Sequence, residues 1–196
     1  MAVSRDAGTF GLALLALAIA APRGEARVDV AFKTGPAFSA QQCVPDAPLD
    51  AGVLFSWDAG VELAVDLNST VALAVEARLT QRGATYDPDD MRLPLRMNCV
   101  SLPLLVKCRW PLYDMRWFVA AGPRLDLFLG TDGREELGWL TQDFESTDLG
   151  VDVSLGLDTH FSIAEIRYSQ ALTKCYESDA LSISNCTVSL LGGIRF

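Results

Sequence analysis

The sequence contains little histidine, little lysine and no long hydrophobic run beyond its first residues. His160 is the only histidine, so a Ser-His-Asp triad, a Cys-His pair or a histidine-bound zinc would lack its base or ligand. There are 16 basic residues, of which three are lysines, and 25 acidic residues give a formal charge of −9. Nucleic acids are bound by clustered positive charge, so this composition argues against a nucleic-acid partner. The sequence predicts no catalytic residue, no metal ligand and no cofactor.

Residues 1–26 have the pattern of a secretory signal peptide. Arg5 supplies positive charge, residues 11–21 form a short apolar core, and Gly24 and Ala26 place small residues before the predicted cleavage site. A membrane-spanning helix needs about 20 apolar residues, and this run ends at Pro22. We therefore expect residues 27–196 to be an exported domain.

Apolar and polar residues alternate with period two along the rest of the chain. Between Phe55 and Leu67 the odd positions are apolar, whereas Asp58, Glu62 and Asp66 lie at even positions. Because successive side chains leave opposite faces of a strand, this pattern indicates β-structure. The same pattern predicts eight strands, over residues 28–39, 54–67, 71–80, 99–110, 116–129, 148–158, 161–171 and 187–196.

The connections between these strands are alternately short and long. Tight turns are expected at 67–70, 111–115 and 158–160, and long polar loops at 40–52, 83–97, 130–147 and 173–186. An even number of antiparallel strands with short turns at one rim and longer loops at the other is typical of an outer-membrane barrel. The predicted fold is all-β, an eight-stranded antiparallel up-and-down transmembrane β-barrel. Alternation alone would fit a soluble, lipocalin-like ligand-binding barrel equally well.

The polar face of the strands favours the membrane arrangement. It holds ten acids and nine bases, mostly arginine, and such near-neutrality is needed where charges fill a narrow, desolvated lumen. Arg82, Arg116, Asp148 and Asp158 lie on this face. The predicted lumen ion-pair network consists of Asp29, Lys33, Asp58, Glu62, Asp66, Glu76, Arg78, Lys107, Arg109, Arg124, Asp126, Asp152, Glu165, Arg167 and Arg195. A barrel of eight strands is just wide enough for side chains to fill it.

The apolar face carries large aromatic residues near the strand ends. Amphipathic rings favour the headgroup level of a bilayer, so two rings of aromatic residues mark two interfaces. The predicted girdles are Phe38, Phe55 and Trp57 at the long-loop rim and Trp110, Trp117 and Phe196 at the short-turn rim. A sheet that faces lipid must also close, because the unpaired edges of an open sheet cannot be satisfied there.

The excess negative charge falls in the predicted long loops. Clustered carboxylates suit hard cations, so these loops are candidates for recruiting divalent cations that bridge anionic lipopolysaccharide; solubility at a charged cell surface is the simpler interpretation. The acids concerned are Asp46, Asp50, Asp87, Asp89, Asp90, Asp132, Glu135, Glu136, Asp143, Glu145, Glu177 and Asp179.

Several stretches resemble the PorT-like outer-membrane barrel family, which is related in architecture to OmpA-type transmembrane barrels. They are VEARLTQRGATY (75–86), SLPLLVKCRW (101–110), FVAAGPRLDLFLG (118–130), LGVDVSLGLD (149–158), AEIRYSQALT (164–173) and LLGGIRF (190–196). The resemblance implies a porin-family barrel in the outer membrane of a Gram-negative bacterium. The terminal Phe196 resembles the signal by which such barrels are recognised for insertion. The five cysteines of this chain depart from the family pattern.

Export would permit disulfides. Cys175 and Cys186 flank the last long loop and are predicted to pair, and Cys43 is within reach of Cys99 near the same rim. The fifth cysteine, Cys108, lies on the apolar face. Sequence does not fix the connectivity.

The expected role is non-enzymatic: membrane integrity, surface interaction, or accessory to an export or assembly complex of the envelope. Its expected surroundings are outer-membrane lipid and lipopolysaccharide. A narrow channel or small-solute transporter is the alternative, and it would require the lumen ion pairs to open. Acid pairs such as Asp58 and Glu62 could serve acid–base chemistry, but the arginines on the same face favour structural ion pairing.

Overall fold

A computed structural model describes residues 27–44, 51–86, 93–132, 147–173, 176–177 and 182–196. Eight long strands account for most of these residues. They are β1 (Val28–Val44), β2 (Leu54–Asp66), β3 (Val71–Tyr86), β4 (Leu93–Leu112), β5 (Met115–Asp132), β6 (Thr147–Asp158), β7 (Ser162–Ala171) and β8 (Ser182–Arg195). Two short segments extend the sheet: Ala51–Gly52 pairs with β3, and Tyr176–Glu177 pairs with β8. No helix in the described ranges is long and apolar enough to cross a bilayer.

The strands form one closed antiparallel barrel. Each strand pairs with its neighbours in sequence, and β1 also pairs with β8, so the eight-stranded wall has no free edge. Cross-strand partners can be followed once round the wall from Val28. The path runs through Val65, Leu73, Val106, Ala121, Val153, Tyr168 and Val188 and returns to β1 at Phe38. This stagger of ten residues tilts the strands and sets the width of the lumen.

Three tight turns and both ends of the barrel domain lie at one rim, here called the short-turn rim. In the β2–β3 turn, Asn68 Oδ1 accepts hydrogen bonds from the backbone nitrogens of Thr70 and Val71, both at 2.8 Å. Tyr113 and Asp114 form the two-residue β4–β5 turn, where Tyr113 has a φ of 54°. The Phe196 nitrogen donates to the Val30 carbonyl at 2.8 Å, which fixes the carboxyl end beside β1.

The strands reach further toward the opposite, long-loop rim than the sequence predicts. The predicted loops 40–52 and 83–97 were wrong at their ends, because β1 runs to Val44, β3 runs to Tyr86 and β4 begins at Leu93. The predicted loops 130–147 and 173–186 were likewise too wide, since β5 runs to Asp132 and β8 begins at Ser182. On β3 and β4 the reason for the error is that the outward-facing residues become polar toward this rim. The alternation of apolar outward and polar inward residues, which identified the strands in the sequence, therefore stops before the strands end.

The distribution of charge confirms the predicted fold class. Inward-facing Lys33, Glu76, Arg124 and Arg167 are buried, whereas large apolar side chains cover the outside from rim to rim. A lipocalin-like barrel has the reverse arrangement, with an apolar interior and a wet exterior. The structure therefore contradicts the soluble-barrel alternative.

Candidate functional site: the lumen

The lumen contains two separate groups of ion pairs. Strand alternation directs their side chains inward, because every second residue of each strand faces the barrel axis. The central cluster has six bases and six acids: Lys33, Arg78, Arg82, Lys107, Arg124, Arg167, Asp58, Glu62, Glu76, Asp126, Asp152 and Glu165. The basal cluster lies at the short-turn rim: Asp29, Asp66, Arg109, Arg116, Asp158 and Arg195.

Lys33 lies at the centre of three glutamates. Its Nζ donates to Glu62 Oε2 at 2.8 Å, to Glu76 Oε1 at 2.5 Å and to Glu165 Oε2 at 2.8 Å. These three carboxylates lie within 4.8 Å of one another, which is a spacing that could hold a metal ion. The lysine ammonium takes that position, so the chain supplies its own cation there.

Arginine extends the central cluster around this lysine. Arg167 donates to Glu76 Oε2 at 2.6 Å and to Glu165 Oε1 at 2.5 Å, and its Nη1 lies 3.5 Å from Asp152 Oδ2. Arg78 pairs with Asp58 and donates to Asp152 Oδ2 at 3.2 Å. Glu76, Glu165 and Asp152 are thus each shared between bases from different strands, which offsets the cost of burying them.

The loop-side end of the central cluster is formed by two arginines and two aspartates. Arg124 Nη1 donates to Asp152 Oδ1 at 2.8 Å, and Arg124 Nε lies 3.0 Å from Asp126 Oδ2. Arg82 Nε lies 2.8 Å from the same oxygen of Asp126. Asp148, further toward the long-loop rim, accepts a hydrogen bond from the Thr173 hydroxyl at 2.6 Å.

The basal cluster closes the lumen at the short-turn rim. Arg195 donates twice to Asp158, at 2.8 and 2.6 Å, and Arg116 donates to the same carboxylate at 3.2 Å. Arg109 pairs with Asp66 and lies 3.6 Å from Asp158 Oδ2. The carboxyl-terminal strand is therefore tied to β6 inside the barrel as well as through the wall.

A group of apolar residues lies between the two clusters on β1, β2, β3, β5 and β7, whereas on β4 Lys107 and Arg109 are consecutive inward-facing residues. The group consists of Ala31, Ala64, Ala74, Leu105, Phe118, Ala120 and Ile163. Ala31 stands between Asp29 and Lys33 on the inner face of β1, and Ala64 stands between Glu62 and Asp66 on that of β2. No ion pair among the described residues joins the clusters. The sequence predicts a lumen ion-pair network, and in the structure its fifteen residues lie in two groups, eleven in the central cluster and four in the basal cluster.

A second group of buried apolar residues lies at the loop-side end of the central cluster, where Met97 is opposite Arg82. Leu54, Ala84, Leu95, Met97 and Cys99 are all buried there and face inward. Sequence reasoning missed this group, because it treated 83–97 as a loop. The signal was present in the sequence, since Leu95 and Met97 alternate with Pro94, Arg96 and Asn98, but with the apolar residues inside.

The six aromatic residues of the predicted girdles all lie on the outer face. Phe38 and Phe55 pack edge to face with ring centroids 5.6 Å apart, and Trp57 lies beside them on β2. At the short-turn rim Trp110 stacks on Trp117 with centroids 4.4 Å apart. Phe196 is 79% exposed at the same rim. Phe161 and Tyr113 add two exposed rings there that the sequence analysis did not assign.

The predicted disulfides find no support in the described residues. Cys99 and Cys186 are free thiols, as is Cys108, and the Cys99 thiol donates to the Met97 carbonyl at 3.4 Å. The partner Cys175 and the side chain of Cys43 lie outside the described residues. The signal peptide and the side chains of the acidic loop residues also lie outside them.

Comparisons with known proteins agree with this geometry. Residues 25–177 match a family model described as an outer membrane protein β-barrel domain. No curated protein matches the sequence significantly. Among solved structures, OprG of Pseudomonas aeruginosa matches with a TM-score of 0.56 at 12% identity, over 88% of this chain and 98% of that one. Neisserial surface protein A (NspA) matches with a TM-score of 0.54 at 14% identity, over the same shares of the two chains.

Proposed function

Because the chain belongs to the family of outer membrane protein β-barrel domains and lies in the bacterial outer membrane, we propose that it is a closed, non-enzymatic barrel. Its role in this proposal is to reinforce the membrane and to present its long loops to surface partners or to an export or assembly complex. The resemblance to PorT-like proteins is a finer assignment than the family match, and it is part of this proposal.

The filled lumen is the observation that carries the proposal. The central cluster has equal numbers of buried acids and bases, and Lys33, Arg124 and Arg167 each contact at least two carboxylates. Breaking a buried pair leaves an uncompensated charge and costs about 3–5 kcal/mol. Opening a path for solutes would break several such pairs at once. The same contacts hold the glutamates and aspartates in structural pairs, which disfavours acid–base catalysis by them.

Recordings in planar lipid bilayers test the closed barrel. We expect the refolded protein to insert without producing stable conductance steps, because both charged clusters and both apolar groups obstruct the lumen. A water-filled porin of 16 strands, added to the same bilayer afterwards, serves as the control for detection. Reproducible unitary steps from the protein alone would contradict the proposal.

A narrow channel or small-solute transporter is the second candidate, and one observation favours it. Arg124 Nη2 and Asp126 Oδ1 are buried and have no hydrogen-bond partner among the described residues. A buried polar atom without a partner costs about 1–3 kcal/mol, which favours a rearrangement of this part of the cluster. Conductance steps that disappear in the Asp126→Asn variant would support this candidate.

The acidic loops complete the proposal. Their carboxylates would recruit divalent cations that bridge neighbouring lipopolysaccharide molecules, since hard cations prefer oxygen ligands. This part of the proposal is supported by loop composition alone.

A further inference from the structure

The wall contains two Gly-Pro steps on opposite sides of the barrel. Gly35-Pro36 is on β1 and Gly122-Pro123 is on β5, four strands away in the ring of eight. A Cβ on Gly35 would overlap the carbonyl oxygen of Leu190, and a Cβ on Gly122 would overlap that of Leu104. Both oxygens belong to the first residue of a Leu-Leu pair, on β8 and on β4. The same close backbone contact therefore occurs on both sides of the barrel.

The strands also pair with the same register in the two halves of the chain. Direct cross-strand partners can be followed from each glycine through the next three strands. The first path runs through Gly35, Asp58, Thr80 and Cys99, and the second runs through Gly122, Asp152, Ser169 and Thr187. A slip by even one residue would turn every side chain of a strand to the other face. Strands β1–β4 therefore superpose on β5–β8, with Gly35 placed on Gly122.

This superposition aligns identical residues at positions that were not used to make it. Thr80 lies in the sequence EARLTQ (76–81) and Ser169 lies in EIRYSQ (165–170), so Glu, Arg and Gln coincide on β3 and β7. The sequence VSL follows Cys99 directly on β4, and VSL also follows Thr187 directly on β8. Once the two glycines are superposed, the strand pairing leaves no register to adjust. The matches on these strands therefore come from a single choice.

The two aligned Glu-x-Arg motifs meet in the lumen. Arg167 of the second half contacts Glu76 of the first at 2.6 Å, and Arg78 of the first half contacts Asp152 of the second at 3.2 Å. The Gly-Pro contacts are reciprocal in the same way, since the β1 step packs on β8 and the β5 step packs on β4. Such reciprocity is the property of a two-fold interface between identical units, in which each copy makes the same contact to the other.

We propose that the barrel is a fused dimer of two copies of one four-stranded unit, and that the lumen is the interface between them. The units are β1–β4 and β5–β8, and the β4–β5 turn joins them. The partner that each lumen face fits is therefore a second copy of the unit, held by the Glu-x-Arg motifs and by the Gly-Pro contacts. This inference goes beyond the proposed function, and a conducting lumen would leave it unchanged.

The two units differ where large side chains fill the lumen. By the same superposition, Ala31 and Lys33 of the first unit correspond to Phe118 and Ala120 of the second, and all four residues are buried. Eight strands enclose a space that side chains just fill. A large residue from one unit therefore requires a small residue at the equivalent position of the other, and the two pairs have this complementary arrangement.

Exchanging these two pairs in the full chain tests the fused dimer. The exchange variant carries Ala31→Phe, Lys33→Ala, Phe118→Ala and Ala120→Lys. Glu76 and Glu165 correspond to each other, so a lysine at position 120 should meet the same two glutamates as Lys33 does. We expect the half exchange, Ala31→Phe with Lys33→Ala, to lower the urea midpoint of unfolding in phosphatidylcholine vesicles. The full exchange should recover at least half of that shift.

Two matched controls accompany the exchange. Ala120→Met in place of Ala120→Lys adds a long side chain without the charge and should not give the recovery. Ala64→Lys in place of Ala120→Lys puts the lysine at another buried position of the lumen, whose counterpart in the second unit is Asp158, and it should not give the recovery either. Recovery by either control that equals that of the exchange would overturn the proposal, as would a folded exchange variant without recovery.

The Gly-Pro steps provide a second measurement, which decides the question if the exchange variants do not fold. Gly35→Ala and Gly122→Ala should lower the urea midpoint by similar amounts, because both added methyl groups meet equivalent carbonyl oxygens. Gly192→Ala is the control, since its added Cβ meets nothing within 4 Å. A shift in only one of the two step variants would overturn the fused dimer. Migration of folded and heated samples on a gel verifies that each variant has folded.

Discussion

The ammonium of Lys33 shows how single residues close the lumen. Three buried glutamates surround it, and these come from β2, β3 and β7, so one side chain joins four strands across the interior. Lysine suits this position because its ammonium is a compact charge on a flexible stem. Arginine predominates elsewhere in the lumen, where a planar fork can bridge two carboxylates, as Arg167 does between Glu76 and Glu165.

Removing this cation should destabilise the barrel strongly. We expect Lys33→Met to lower the free energy of unfolding by about 3–5 kcal/mol, because it leaves buried carboxylates uncompensated. Urea titration in phosphatidylcholine vesicles, followed by tryptophan fluorescence, measures the change. Lys33→Met combined with Glu165→Gln should recover part of the loss, since one of the unpaired charges is gone.

Lys107→Met is the matched control for that measurement. Lys107 pairs with Glu62 at 2.6 Å and lies 4.3 Å from the centre of the Phe118 ring. Glu62 still pairs with Lys33 when Lys107 is replaced, so the loss of stability should be smaller than in Lys33→Met. Equal losses of unfolding free energy in the two variants would show that the three-glutamate arrangement around Lys33 contributes no more to stability than the pair of Lys107 with Glu62.

In two strands a Gly-Pro step interrupts the pairing with one of the two neighbouring strands. In β1 the pairing with β8 skips from Thr34 to Ala37, across Gly35 and Pro36. In β5 the pairing with β4 skips Gly122 and Pro123. Proline cannot donate to the ladder, and the preceding glycine lets the neighbouring backbone approach closely. A Cβ on Gly122 would overlap the Leu104 carbonyl oxygen.

This close approach predicts different costs at two glycines. We expect Gly122→Ala to destabilise the barrel by about 1–3 kcal/mol, because backbone atoms must move to accept the methyl group. Gly192→Ala should change stability by less than about 0.5 kcal/mol, since nothing lies within 4 Å of its added Cβ. Unfolding midpoints in urea, compared in one vesicle preparation, decide this. Comparable shifts in both variants would refute the steric explanation.

For the molecule as a whole, the sequence predicted much of the fold because a membrane barrel needs regular alternation. Runs such as 54–66 and 148–158 have apolar residues on one face and charges on the other, which sets both the strand and its inner side. The same rule failed at Gln81–Tyr86 and Leu93–Asn98, where the wall extends beyond the lipid and the outward face becomes polar. The lumen divides into two clusters because side chains at the same height along the barrel axis meet inside it. Which residues share a height depends on the stagger between the strands, and that stagger cannot be read from the pattern of a single strand.

The aromatic residues on the outer face are predicted to contact the bilayer at both rims. In variants that retain Trp57 or Trp117 as the only tryptophan, brominated phosphatidylcholine should quench the fluorescence strongly, because both rings lie on the lipid side. Aqueous acrylamide should quench it weakly. The opposite pattern for either residue would show that the corresponding girdle does not contact the bilayer.

The alanine-rich group between the clusters has a consequence for any ion that crosses this protein. An ion that has passed the basal charges meets methyl groups and the Phe118 ring, and it must give up its hydration there with no carboxylate at hand. Even a wholesale exchange of partners in the central cluster would leave this dielectric barrier in place. Leakage of ions therefore requires the ion pairs of both clusters to open and the apolar group between them to move apart.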